Sequence, residues 1–308
     1  MCKKNEKRST ISKIDSWIGG KFMSKRLVCE SYLHKKVTFT YEFPFYLEKV
    51  EGLHEVIGTV TGIKSAYAIG ENYVNTSIEK RNIIISGIIK ENFANNRQKL
   101  YSIFPLKTTG TLYYYENNLE RKIDYKVESI KINEKGYPKA FQISLICPTP
   151  YFTDINKTTL QMATWSPAFK FSLKIPKSSG IKFGNKNKTS MVKITNTTNI
   201  EFGMTIKFTA NDQVVNPSLF NVDTREEMKI EKTMQAGDMI IIYTYRQNKN
   251  IIYISSITGI EENINNLMVY GSKFLQIHHG ENTYRYNADE NVDNLETIIE
   301  YLTEYEAV

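Results

Sequence analysis

Residues with ready chemistry are sparse. Four histidines and three cysteines are spread over 308 residues. The cysteines, Cys2, Cys29 and Cys147, are odd in number and far apart, which excludes a disulfide framework and a cysteine zinc site and fits synthesis in a reducing compartment. His278 and His279 are the one histidine pair. Neighbours along a strand face opposite ways, so the two cannot share a metal there. His34 and His54 stand alone, and no Ser/His/Asp or Cys/His arrangement assembles. The longest apolar runs, such as MIIIY (Met239–Tyr243), are too short to cross a bilayer, and the basic N-terminus is followed by no apolar leader core. Gly19-Gly20-Lys21-Phe22 lacks a phosphate loop's first glycine, having Asp15 in its place, and puts Phe22 where Ser or Thr would meet magnesium. No catalytic, cofactor-binding or metal-binding residue is assigned, no cofactor is expected, and the chain does not read as an enzyme.

What is present is β-forming. Hydrophobic residues make up 41% and charged residues 24%, the balance of a packed globular protein. Twenty Tyr and fifteen Phe accompany many Ile, Val and Thr, residues that suit a pleated, half-buried surface. The formal charge of +7 is diffuse apart from the cluster at Lys3–Arg8 and Lys21, Lys25 and Arg26. No nucleic-acid-binding signature accompanies it, and Lys-, Asn- and Ile-rich usage of an AT-rich genome accounts for it.

Three regions follow. Residues 1–22 are polar and weakly patterned, and read as a flexible extension, an arm that docks on a partner, or residues upstream of a natural start at Met23. Residues 23–155 read as the first β domain. Val37, Phe39 and Tyr41 fall on one strand face, and RNIIISGIIK (Arg81–Lys90) is an apolar strand whose glycine suggests a bulge or bend. Phe93, Arg97, Leu100, Tyr101 and Phe104 recur at helical spacing up to Pro105. Gly110–Ile132 reads as a hairpin turning at Asn117-Asn118, and Ala140–Phe152 as a strand stopped by Pro148 and Pro150. Residues 156–308 read as loose to about Thr189, then as short strands of a sandwich. There Asn216-Pro217 reads as a turn between two strands, and Gly237-Asp238 as a turn whose carboxylate bonds nearby backbone. Asp293–Val308 reads as either a helix or a closing strand. Tyr113, Tyr114 and Tyr115 belong to a core or a subunit contact. The Asn-x-Thr triplets at Asn156 and Asn196 carry no meaning without a secretory signal.

The run VNPSLFNVDTREEMKI followed by AGDMIIIYTY resembles the second half of phage distal tail proteins, the siphovirus-type tail component family. The resemblance rests on Asn216-Pro217, Asn221, Thr224, Glu226 or Glu227, and Gly237-Asp238. RNIIISGII, a helix with an arginine, and TGTLYYY are similar to the family's first domain. QISLICPTPYF (Gln142–Phe152) is similar to its closing strand, and SKFLQIHHGENTYRYNAD (Ser272–Asp289) to the final hairpin, with His279 where a proline usually stands. The likeness covers most of Met23–Val308.

The resemblance implies a mainly β structure: a ring-forming N-terminal domain with one helix, then a galectin-like β-sandwich. It also implies a virion structural protein, assembled in the bacterial cytoplasm, that sits at the tail tip or baseplate. The expected partners are five further copies of the chain in a hexameric ring, the tail tube protein and the hub or tip protein, with the tape measure, sheath or receptor-binding proteins as further candidates. Neither specific nucleic-acid binding nor membrane insertion is expected. The alternative is a carbohydrate-binding module that helps adsorption, for which Trp165 is the only tryptophan of the second half.

Overall fold

The computed structural model describes residues 25–65, 67, 69–162, 164–167, 184–187 and 191–308, the side chains of 164–167 and 184–187 excepted. The extension 1–22 lies outside them. The chain forms two compact units, Met1–Phe152 with Glu306–Val308, and Thr153–Tyr305.

The first unit contains strands β1 (Arg26–Ser31), β2 (Lys36–Phe39), β3 (Phe45–Glu51), β4 (Gly58–Ile63), β5 (Asn72–Ile78) and β6 (Arg81–Ile89), helix α1 (Phe93–Ile103), and strands β7 (Thr109–Glu116), β8 (Leu119–Ile132) and β9 (Ala140–Cys147). Its main sheet runs β2-β1-β7-β8-β9-β6-β3, and every mapped pairing is antiparallel. Its two ends meet at a Thr40–Tyr46 bridge, where the Leu47 amide donates to the Thr40 carbonyl at 2.7 Å. A sheet curled until its first and last strands touch has one enclosed face. Leu27, Phe39, Ile83, Ile85, Leu112, Tyr114, Phe141 and Ile143 fill it, and α1 adds Leu100 and Ile103.

The alternation at Val37 and Phe39 buries both. Tyr41 departs from the expectation and is exposed, because β2 ends at Phe39 and the chain bends toward β3. Gly87 does not interrupt its own strand. The irregularity lies opposite, in β3 between Leu47 and Lys49. A side chain at Gly87 would meet the Phe141 ring at 2.8 Å, so the glycine serves a close approach of neighbouring strands. The hairpin turn falls at Asn117, whose φ of 54° suits a left-handed Asn.

Strand β10 (Phe152–Thr153) spans the boundary between the units, and the second unit runs from Thr153 to the end of β24 (Glu304–Tyr305). Between them lie β11 (Thr158–Gln161), β12 (Thr164–Pro167), β13 (Gly184–Asn187), β14 (Met191–Asn196), β15 (Met204–Ala210), β16 (Val214–Asn221), β17 (Glu226–Lys229), β18 (Thr233–Met234), β19 (Met239–Tyr245), β20 (Asn248–Ile254), β21 (Glu261–Asn263), β22 (Gly280–Glu290) and β23 (Leu295–Tyr301). One sheet orders β11-β23-β15-β19-β20-β21, and another β14-β22-β16-β17, with β18 also on β16. Ile206, Phe208, Ile240 and Ile242 of the first share a core with Leu219, Met228 and Tyr284 of the second.

Three expectations change here. The stretch before Thr189 is not wholly loose: β11 pairs with β23, and β12 with β13, long-range partners that local composition cannot announce. Residues 168–183 and 188–190 lie outside the described set. Asn216-Pro217 does not reverse the chain. Both residues lie inside β16, which pairs with β22 on both sides of them, from Val215 opposite Glu290 to Asn221 opposite Tyr284. Asn216 has φ 51° and bends the strand, so that β16 leaves β18 for β17 at this point. The segment before Gly280 is no regular strand of a final hairpin and makes a single bridge, Phe202–Ile277. Of the two readings for Asp293–Val308, the strand holds: β23 buries Leu295, Thr297 and Ile299 on alternate positions.

Candidate assembly interface

The residues singled out in the sequence serve turns. Asn221 Oδ1 accepts the amides of Asp223 (3.0 Å) and Thr224 (3.3 Å), which closes the β16–β17 turn. Gly237, at φ 83°, and Asp238 form the expected turn. The Asp238 carboxylate accepts the Gln235 amide and the Tyr253 hydroxyl, both at 2.7 Å, and the Ser256 amide at 2.9 Å. Burial alone would raise its pKa, but these hydrogen bonds outweigh burial and hold it below the ordinary carboxylate value. Asn282 closes the turn before β22: Oδ1 accepts the His278 amide at 3.0 Å and Nδ2 donates to the His278 carbonyl at 2.7 Å. Asn196 likewise commits its amide to a local turn, donating to Ile200 O at 2.8 Å.

The histidines do not converge. His278 Nδ1 lies 2.9 Å from Glu201 Oε1, His279 Nδ1 2.9 Å from Thr198 O, and His34 3.0 Å from Glu30, while His54 is exposed. Among the described residues no group of three or more His, Cys, Asp or Glu is placed to hold a metal ion. Cys29 and Cys147 are buried free thiols. Burial pushes both up, Cys147 to about 12, away from nucleophilic character. Tyr114 points into the core. Tyr113 and Tyr115, on the opposite face, lie half-buried under Lys36 and Arg26 at 5.9 and 4.4 Å. Trp165 lies in β12, where only backbone is described.

The conspicuous surface is elsewhere. β4 and β5 pair only with each other, antiparallel from Gly58 opposite Ile78 to Ile63 opposite Asn72. This ribbon buries neither face: no residue of either strand is buried. Val60 and Tyr73 are each 67% exposed, Ile63, Val74 and Ile78 are also open, and Tyr67 and Ile69 between the strands are fully exposed. A two-stranded ribbon without a covered face is marginal in water, and contiguous exposed apolar surface marks an interaction site. Both of its edges also carry unpaired backbone groups.

The ribbon's root is firm. Arg81, 4% exposed, starts β6 directly after the ribbon. Its guanidinium donates to the carbonyls of Gly52 (2.7 Å), Leu53 (3.0 Å) and Pro150 (2.7 Å), and to that of Glu306. The Phe152 ring lies 4.9 Å from its centre. Beside it opens a cavity of about 240 Å³, with Val56, Ile57 and Ile84 among its apolar lining and Glu51, Glu55 and Glu79 among its polar lining. The sequence reading passed over this segment. Its signal was present in the period-two Thr and Val of GTVTGI and NYVNTSI, but with no apolar face to match a core.

Residues 33–147, which include the ribbon, match the model of the phage tail protein RIFT-related domain, and residues 197–305 match that of the siphovirus-type tail component, C-terminal domain. The chain belongs to the siphovirus-type tail component family, the phage distal tail proteins. The distal tail protein also shares its fold with the Dit protein of phage SPP1. The TM-score is 0.62 at 11% identity, over 91% of this chain and 99% of that one. A chain of the phage p2 baseplate in its activated conformation with Ca aligns at a TM-score of 0.47 and 12% identity, over 94% of this chain and 100% of that one. No curated protein matches in sequence.

Proposed function

We propose that this distal tail protein is a structural component of a phage tail or phage-tail-like particle, forming a hexameric ring that joins the tail tube to the baseplate hub or tail tip. The observation that carries the reading is the β4–β5 ribbon, which covers neither face, leaves Val60, Ile63, Tyr73, Val74 and Ile78 open, pairs with no further strand and is rooted beside the buried Arg81. Burying it on a neighbouring copy removes apolar area from water at roughly 25 cal/mol per Å². Ribbon and receiving surface are different patches of one chain. That makes the contact heterologous, and a heterologous contact that closes makes a ring.

In this reading the first unit builds the ring, and the second is a galectin-like sandwich. One similar structure supports the location: the SPP1 Dit protein is described as a paradigm of hub adsorption apparatus. Tube and hub proteins are the proposed partners, the tail tip or baseplate the proposed site, and the host cytoplasm the place of assembly. Function then lies in shape and contact and needs no catalytic group. The carbohydrate reading gains no comparable support, since Tyr270 is the one aromatic among the fully open large side chains of the second unit's described residues.

Mass photometry of the full chain, mixed with its tube and hub proteins, tests the proposal. Six chains of 35.6 kDa predict a ring of about 214 kDa, alone or within heavier complexes. Monomers alone under all mixtures would end it.

A further inference from the structure

The two sheets of the second unit differ on their outward faces. Away from the core, β14 and β22 present Lys193, Thr195, Glu281, Arg285 and Asn287, all exposed. That is the ordinary pattern of an antiparallel sheet with one wet face. β19 and β20 depart from it. Ile240, Ile242 and Ile251 are buried in the core, yet the alternate positions are apolar too: Met239, Ile241, Tyr243, Ile252 and Ile254 stay half-buried and lie outside that core. Strands apolar on both faces are those that are covered on both.

The strand register sets this face in rows. One row runs Glu296, Thr209, Met239, Ile254, Glu261, and the next Ile298, Lys207, Ile241, Ile252, Asn263. Lys207 is paired with Glu300 at 2.7 Å. Glu296 accepts the Asn211 amide at 2.8 Å, and neither Glu296 nor Glu261 has an ion-pair partner among the described residues. The apolar strip is thus bounded by a carboxylate at each end, four strand spacings or about 19 Å apart. Its complement is an apolar segment with a cation at each end.

The chain carries such a segment ahead of the described residues, which begin at Lys25. Residues 1–22 hold six cations against two carboxylates. Ile11, Ile14 and Ile18 recur three and four apart, the spacing of one helical face. Arg8 and Lys21 flank them, and thirteen residues at a helical rise measure about 20 Å. The tether is long enough, since 24 extended residues reach roughly 80 Å. We propose that the segment Arg8–Phe22 packs on the outward face of β19 and β20, its isoleucines over Ile241, Ile252 and Ile254, and Arg8 and Lys21 at the two carboxylates, Glu261 and Glu296.

The test uses the full chain in a Cys2→Ser background, where Cys29 and Cys147 are buried. Ile14→Cys is combined either with Ile252→Cys or with Asn287→Cys on the polar face of the other sheet, and the disulfide is followed under mild oxidation. Cross-linking to Ile252→Cys, within a chain or between copies, should be at least tenfold faster than to Asn287→Cys. Glu261→Lys with Glu296→Lys should slow it at least threefold, and adding Arg8→Glu with Lys21→Glu should restore most of the rate. Equal rates at the two faces, or rates indifferent to the charge reversals, would overturn the proposal. So would an Ile252→Cys thiol shielded from small reagents while no cross-link forms, which assigns the face to another occupant. Mass photometry of the same samples reads the ring separately: loss of the ring leaves this contact standing, and loss of the cross-link leaves the ring.

Discussion

Arg81 Nη1 donates to the Gly52 carbonyl at 2.7 Å, and this bond joins the start of β6 to the end of β3, the two strands between which the ribbon emerges. The same guanidinium holds Leu53, Pro150 and Glu306. Arg81→Met keeps apolar bulk but leaves buried carbonyls without a donor. At 1–3 kcal/mol for each unsatisfied buried group, it should cost about 3 kcal/mol, read as a lower urea midpoint. Arg81→Lys should recover less than half, because one ammonium cannot reproduce the planar fork. An unchanged midpoint in Arg81→Met would refute the clasp.

Gly87 makes a sharper demand. Any side chain there collides with the Phe141 ring and the Tyr46 backbone. Gly87→Val should destabilise the first unit by about 1–3 kcal/mol through overpacking, and Gly70→Ala, in open space, should be much milder although its φ of 87° adds backbone strain. Denaturant unfolding of the two variants separates them, and equal midpoints would contradict the close approach.

These two residues also show what the sequence makes legible. The alternation of β6, the helical spacing of Phe93, Leu100 and Phe104, and the Asn117 turn were all readable, because a buried face imposes a period and a tight turn imposes a residue type. Asn216-Pro217 misled, since the usual turn chemistry can equally bend a strand when neighbours on both flanks are supplied by distant segments. Tyr41 misled because period alone does not say where a strand stops. The ribbon went unread for the converse reason: with no covered face among the described residues, its sequence has no apolar period to find.

Asp238 predicts a pH dependence in the second unit. Its folded pKa is held below the unfolded value of about 3.9. A depressed carboxyl contributes stability above the unfolded pKa and loses it as pH falls through the folded one. Asp238→Asn should therefore be less stable than the parent by about 1–2 kcal/mol at pH 7, and the gap should narrow below about pH 4. Urea midpoints at pH 7 and pH 3 measure it, and a gap independent of pH would refute the role of the charge.

The ribbon should separate assembly from folding. Val60→Glu with Tyr73→Glu changes two exposed positions and should shift stability by no more than about 0.5 kcal/mol each. The same pair should abolish self-association at concentrations where the parent assembles, as followed by sedimentation velocity. Assembly as strong as the parent's would exclude the ribbon from the contact.

Electron microscopy of the full chain with its tube and hub proteins tests the central claim most directly. The account predicts a six-fold annulus with a central opening, lost in the Val60→Glu, Tyr73→Glu variant while its thermal unfolding stays that of the parent. Closed particles of another symmetry, open filaments, or six-fold rings that persist in that variant would contradict it.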